Sequence, residues 1–467
     1  MEGMATLGAF ALMLVAGTAL GAPLPAILLA GLALFVAHGL RQGISAEELA
    51  RAAWSTLRPI GSMLFLFAVV GALTAAWRAS GTIPAIVSWS SQLIAPGTEV
   101  IAAFLMCCLM SMLMGTAFGT AATMGVICMT IAHASGANEL LVGGAILSGC
   151  YFGDRCSPMS TSASLVSELT KTSLFENVRR MLKTGAIPFL LACAAYLGLG
   201  IALSGHGSVP NISGMLGHAF SLTAVAALPA VIVIVLSLAK VSVVRTMLVS
   251  LACSCVICVG VQGVDPAQLP QILLMGYQAA DPQIAGMVNG GGVISMVNVM
   301  LVVAISSCYA GVFERTGLLD RAVDVVNELS QRSTPFVGVL ATSAISCMVA
   351  CNQTLAIMLT KTLCEKTEKT GSALALDLEN SVVIMSPLVP WSVSNVAVLA
   401  SVGAPSISLV AAAFCYLLPL WTLGLSMWVH RSPNFSKTPQ ARLLGLTPAD
   451  NARSYNPAAT TQLAKAA

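Results

Sequence analysis

The sequence predicts an all-α polytopic membrane protein, with about ten to thirteen transmembrane segments, two inverted repeats and re-entrant or broken helices. Three observations carry that prediction. Charge is scarce: 22 basic and 19 acidic residues make up 9% of 467 positions, against roughly 25% in soluble domains. Apolar residues make up 57% of the chain and the mean hydropathy is +0.87, so lipid is the expected solvent for most of the surface. Helix-breaking motifs also recur in the two halves at nearly equal offsets. The composition excludes an ordinary cytosolic enzyme, a disordered chain and a nucleic-acid binder. The net charge of +3 is too small to mark a partner.

Residues 5–20 lack a basic n-region and an A-x-A cleavage site, so they are read as an uncleaved first span rather than a signal peptide. Residues 24–39 form its partner, and an amphipathic stretch expected in the cytoplasm follows. Further apolar segments lie near 60–77, 82–95, 100–115, 119–134, 140–152, 184–204, 219–239, 244–262, 290–312, 335–350, 352–363, 380–398 and 406–429. Those at 82–95, 119–134, 140–152 and 352–363 are shorter than the roughly 20 residues a spanning helix needs. Short runs among full spans predict re-entrant segments, because irregular backbone survives at membrane depth only inside protein or along water. The expected organisation is an N-terminal hairpin and loop (1–59), a first repeat (60–204), connecting segments (205–289), a second repeat (290–430) and a disordered cytoplasmic tail (431–467).

Basic residues set the orientation. Arg41, Arg51 and Arg58, then Lys171, Arg179, Arg180 and Lys183, then Lys240 and Arg245, and the tail arginines and lysines are expected in the cytoplasm, whereas loop 205–218 holds no Lys or Arg. The fourteen cysteines lie mostly in apolar runs, where Cys acts as a small hydrophobe. Cys255-Val-Ile-Cys258 has no second pair or His at zinc spacing. The five histidines are unpaired at ligand spacing, and no Walker A, GxSxG or nucleotide fingerprint occurs. An enzyme and an ATP-driven pump are therefore not expected, nor is a cofactor beyond a transported ion.

Ala76-Trp-Arg-Ala-Ser-Gly81 aligns with Val312-Phe-Glu-Arg-Thr-Gly317, and Ser157-Pro158 with Ser386-Pro387. Each Ser-Pro follows a short interrupted segment: Gly115-Thr116-Ala-Phe-Gly-Thr120 in one half and Asn352-Gln353-Thr354 in the other. Paired interruptions of this kind point to a secondary transporter's binding site. Between apolar runs, Gly149 to Ser164 contains Asp154, Arg155, Ser157, Ser160 and Thr161; its glycines and Pro158 free backbone groups, and its hydroxyls offer neutral oxygen ligands. Asp154 is either capped by Arg155 at the membrane edge or used in coupling. The second-half counterpart carries Glu379, Ser386, Pro387, Pro390, Trp391 and Asn395. Glu379 either snorkels to the interface or serves the interior, and Trp391 either lines a site or anchors at the headgroups.

The blocks Gly153-Asp154-Arg155-Cys-Ser157-Pro158-Met-Ser160 and Ser386-Pro387-Leu-Val-Pro390-Trp391, supported by Val70 to Pro84, Gly115 to Thr120, Phe175 to Met181, Gly290 to Met296 and Gly311 to Gly317, resemble the NhaC-type Na+/H+ antiporter family over about residues 60–430. The resemblance implies a secondary active transporter of the ion-transporter superfamily in a bacterial inner membrane, with inverted repeats, re-entrant hairpins, a central site and an elevator step. It implies exchange of Na+ for protons, the alternative being exchange of a small organic acid such as malate or lactate, or an amino acid. Partners would be the bilayer and the transported solute, with a homodimer left open. Where the family usually carries carboxylates this chain has Thr161, Asn352 and Asn380. Asp154, the candidate Na+ ligand, and Glu379 are the carboxylates that remain. The candidate site is Asp154, Ser157, Ser160, Thr161, Thr116, Thr120, Asn352, Gln353, Thr354, Glu379, Ser386, Trp391 and Asn395.

Overall fold

A computed structural model describes residues 2–20, 22–58, 61–90, 97–203, 219–239, 241–279, 288–317, 334–350, 352–364 and 371–431, together with Gly217, Asp281 and Ala285. The expected tail beyond residue 431 lies outside the described residues. Those described fold into helices and connecting turns, with one isolated β-bridge between Tyr277 and Gly290. The chain is an all-α polytopic membrane protein. By length and composition, helices over Leu174–Leu203, Val293–Phe313 and Ser406–Trp428 are each able to cross a bilayer. Gly371–Leu388 and Val393–Val402 form a further pair bent by 56°, and shorter apolar helices of 10–17 residues accompany them. Outward-facing Leu190, Leu191, Ile201 and Val256 present apolar side chains to the surroundings, as a lipid solvent requires.

Helices α1 (Glu2–Ala19) and α2 (Leu24–Arg41) form the first hairpin. Ser45 caps α3 (Ala46–Leu57) by accepting from the Glu48 N–H at 3.2 Å, the Ser-x-x-Glu signature of a helix start. Helices α4 (Gly61–Ala79), α5 (Thr82–Ser90) and α6 (Glu99–Met114) follow. At Gly115 (φ +67°) the chain turns back through α7 (Ala117–Thr120), a π turn (Ala121–Gly125) and α8 (Val126–Ser135). This arm returns along α6, bringing Cys128 against Cys107. Helices α9 (Glu139–Cys156), α10 (Thr161–Thr170) and α11 (Leu174–Leu203) complete the first half.

The connecting region holds α12 (Leu228–Leu238), α13 (Val243–Gly260) and α14 (Leu269–Met275). The second half follows. It runs through α15 (Val297–Thr316), α16 (Pro335–Ala350), α17 (Gln353–Cys364), α18 (Gly371–Asn380), the one-turn α19 (Val382–Met385), α20 (Val393–Val402) and α21 (Ala413–Arg431). Helices α4 and α15 end at the motif glycines, Gly81 (φ +74°) and Gly317 (φ +57°). The amphipathic stretch expected as a cytoplasmic loop is instead helical and runs antiparallel to α15: Glu48 pairs with Arg315 at 3.2 Å, and Ala52 O lies where a Cβ on Gly311 would sit. Leu57 continues into the cluster around Met296 and Val299.

Helix α9 is the central strut. Asn138 caps it through the N–H groups of Leu140 and Leu141. Gly149 and Gly153, four apart on one face, let it touch the α6 backbone: a Cβ on Gly153 would meet Met112 N at 2.4 Å, and one on Gly149 would meet Phe104 O at 2.7 Å. Small residues at this spacing are how membrane helices approach closely. The contact places residues 154 and 155 deep in the bundle.

Candidate functional site: a buried charged cluster where two helix breaks meet

Helix α9 ends at Cys156, and Ser160 starts α10 by accepting from the Ala163 N–H at 3.2 Å. Asp154, in the last turn of α9, is 3% exposed and faces that start. Ser160 Oγ donates to its Oδ1 at 3.3 Å, and Ser162 Oγ to its Oδ2 at 2.9 Å. The third donor comes from the other half. Gln353 Nε2, in the first turn of α17, reaches Asp154 Oδ2 at 3.0 Å and Val383 O at 3.2 Å. One side-chain amide thus bridges the positions three residues before each Ser-Pro.

The sequence left open an ion pair between Asp154 and Arg155, and the structure has none: adjacent residues near a helix end point in different directions. Arg155 is fully buried. Its Nη1 donates to Met181 O at 3.1 Å, and its Nη2 to Thr184 Oγ1 at 3.2 Å and Asn380 Oδ1 at 2.5 Å. Its Nε has no partner. Glu379 is also fully buried rather than snorkelling, and neither carboxyl oxygen has a donor. Arg155 and Asp154 are the charges that act on it. Among the described residues no group of three His, Cys, Asp or Glu forms a metal cage.

The remaining expected residues divide. Ser157 is buried and structural in its bonding: its Oγ donates to Met112 O at 2.7 Å and accepts from Met159 N at 3.1 Å. Thr120 is buried and donates to Thr116 O at 2.9 Å. Half-buried Thr116 lies at the tip of the first hairpin, whose Gly115 packs on Met159. Asn352 caps the second tip through the Thr354 N–H at 2.9 Å. Thr161 and Thr354 are exposed, a correction to the expectation that they join the interior. Each stands in a first helical turn, just beyond a residue (Ser160 or Asn352) that takes the inward capping position.

At the second break, Ser386 Oγ and Ser394 Oγ meet at 2.7 Å and Asn395 Nδ2 donates to Pro387 O at 2.7 Å, leaving Asn395 Oδ1 unpartnered. Trp391 is neither a headgroup anchor nor part of the charged cluster. It is buried, donates to Met348 O at 2.8 Å and lines an apolar cavity of about 460 Å³ with Leu340, Met385 and Tyr416. The two breaks are cross-packed: α10 lies on α17 and α18, while α20 lies on the π turn and α9, where Tyr151 Oη donates to Ser394 O at 3.0 Å. Ser162, Asn380 and Thr184 were missing from the expected site. Ser162 continues the polar run after Pro158 and was legible there; Thr184 sits in an apolar helix and left no signal.

A polytopic helical bundle with a buried charged cluster at two cross-packed helix breaks defines a secondary transporter. The comparisons agree and specify it. Residues 149–428 match the Na+/H+ antiporter family, and the chain belongs to that family. It is 28% identical to the Na+/H+ antiporter NhaC of Alkalihalophilus pseudofirmus, over 77% of this chain and 80% of that one. It is 26% identical to the malate-2H+/Na+-lactate antiporter of Bacillus subtilis, over 84% and 86%. It is also 26% identical to the arginine/ornithine antiporter ArcD of Halobacterium salinarum, over 78% of each chain.

Proposed function

We propose that this cation/proton antiporter works in a bacterial inner membrane by loading Na+, or a similar monovalent cation, and protons in turn on Asp154. One observation carries the assignment: a buried carboxylate is held jointly by hydroxyls of the first break and an amide of the second hairpin. Carboxylate, hydroxyl and amide oxygens are hard ligands suited to such a cation. A bare charge is expensive in the membrane interior. The site therefore crosses with its carboxylate neutralised, either by a cation or by a proton, and this either-or is the coupling. Glu379 is the second exchangeable carboxyl, and Arg155 is the fixed countercharge that keeps the cluster near neutrality. The halves are read as inverted repeats, on the recurrence of the Ser-Pro break and of the motif glycines Gly81 and Gly317 that end α4 and α15.

Exchange of a small organic acid or amino acid on the same scaffold is the second reading. It is favoured by Arg155, whose hydrogen-bond partners are all neutral, and by the solutes named for two of the relatives. Proteoliposomes with a trapped pH dye, challenged with Na+, Li+ or K+ and separately with malate, lactate or arginine, test both. A wild-type rate of Na+-driven proton release from Asp154→Asn overturns the first. Solute counterflow without cation dependence establishes the second.

A further inference from the structure

The Arg155 guanidinium sits entirely on neutral groups. Its Nη1 donates to Met181 O and, at 3.1 Å, to Cys156 Sγ; its Nη2 donates to Thr184 Oγ1 and Asn380 Oδ1. Helix α11 shapes this seat. Gly185 leaves the space beside Nη1, since a Cβ there would lie 3.0 Å from it. Thr184 Oγ1 directs its own proton to the carbonyls of Arg180 at 3.1 Å and Met181 at 3.2 Å, which leaves a lone pair to accept from Arg155.

Asn380 closes the seat from the second half of the chain. A guanidinium has donors only, so the amide must offer it Oδ1. Nδ2 is then turned away from Arg155 and is buried without a partner. The adjacent Glu379 is fully buried, and among the described residues no ion pair joins it to Arg155. An unpaired amide N–H beside two unpaired carboxyl oxygens is costly, and such costs gather where function requires them. The charges that act on Glu379 are Arg155 and Asp154. Asp377 of its own helix, Glu168 of α10, Arg180 of α11 and Lys361 of α17, on helices packed against α18, are not among them. The cysteines of α16, α17 and α21 are free thiols, uncharged at neutral pH.

We propose, on the reading of Glu379 as the second exchangeable carboxyl, that Asn380 and Thr184 are positioning residues: they hold the Arg155 cation on neutral acceptors, out of an ion pair with Glu379, and so keep Glu379 free to gain and lose a proton. Arg155 stays charged whatever it touches. A carboxylate locked to it in a bidentate pair would stay charged as well and drop out of proton exchange. Neutral acceptors satisfy the guanidinium, leave its field in place and leave the carboxyl able to change its charge.

The test is the pH dependence of Na+-driven proton exchange by the full-length protein in proteoliposomes, with the melting temperature in detergent as the check on folding. Asn380→Leu and Thr184→Val each remove an acceptor, and Gly185→Ala pushes on Nη1 without removing a polar group. Each frees the guanidinium to reach Glu379 and cuts the change of rate with pH by about threefold or more, the size of effect seen between coupled neighbours. Thr184→Ser restores the acceptor and the wild-type profile. In a Glu379→Gln background none of the three adds to the flattening, because the residue they act through is gone. Wild-type pH profiles in Asn380→Leu and Gly185→Ala, beside a flattened one in Glu379→Gln, overturn the proposal alone. Flattening that adds to that of Glu379→Gln also overturns it, by making the seat merely structural. A wild-type profile in Glu379→Gln itself removes Glu379 from the proton path, and that reading falls together with the proposal.

Discussion

The two helix breaks share a Ser-Pro motif and are built from different chemistry. The first, at 157–160, gathers Asp154, Arg155, Ser160 and Ser162. The second, at 386–392, is held by neutral hydroxyl and amide bonds and borders an apolar cavity. The bundle thus has two openings, and charge is concentrated in one of them. An unpaired charge is costly in the membrane interior, so one neutralisable cluster serves the transport cycle better than two.

The contrast is tested most severely at Asp154. Asp154→Asn keeps the shape and removes the charge; Na+-driven proton exchange in proteoliposomes falls to background while size-exclusion behaviour in detergent stays that of the wild type. Glu379→Gln comes next. Because neither oxygen of Glu379 makes a hydrogen bond, the variant folds, exchanges Na+ at a reduced rate and shows a flatter dependence of rate on pH. An unchanged pH profile removes Glu379 from the proton path. Gly153→Val moves stability more than chemistry. Its Cβ would meet Met112 N at 2.4 Å, and overpacking costs about 1–3 kcal/mol, read as a lower melting temperature in detergent. The smallest effect is expected at the second break. Ser386→Ala removes one hydroxyl bond, costs about 1 kcal/mol and leaves exchange within about threefold. If Ser386→Ala were as damaging as Asp154→Asn, the two breaks would be chemical equals.

Much of this was legible in the sequence because membrane constraints act locally. Apolar runs marked nearly every helix, and the Gly and Pro interruptions marked both hairpin tips and both breaks. The start of α11 was read ten residues late, since its polar opening from Leu174 to Lys183 hides a helix that begins well before the apolar stretch. The path of α3 along α15 was missed because amphipathicity alone fits a surface helix equally well. Asp154 stood out as a carboxylate among apolar neighbours, yet its partner Gln353 lies 199 positions away. The choice between burial and snorkelling for Glu379 likewise depended on where Arg155 was placed. Neither relation leaves a local pattern.

The glycine crossing of α6 and α9 has a mechanical consequence. With backbone against backbone at Gly149 and Gly153, no long side chain lies between the two axes to change rotamer and take up strain. The pair therefore moves as a single beam, and any travel of Asp154 across the membrane carries α6 with it. Sliding must occur at other boundaries, and backbone amide exchange should find this crossing the slowest part of the molecule to open.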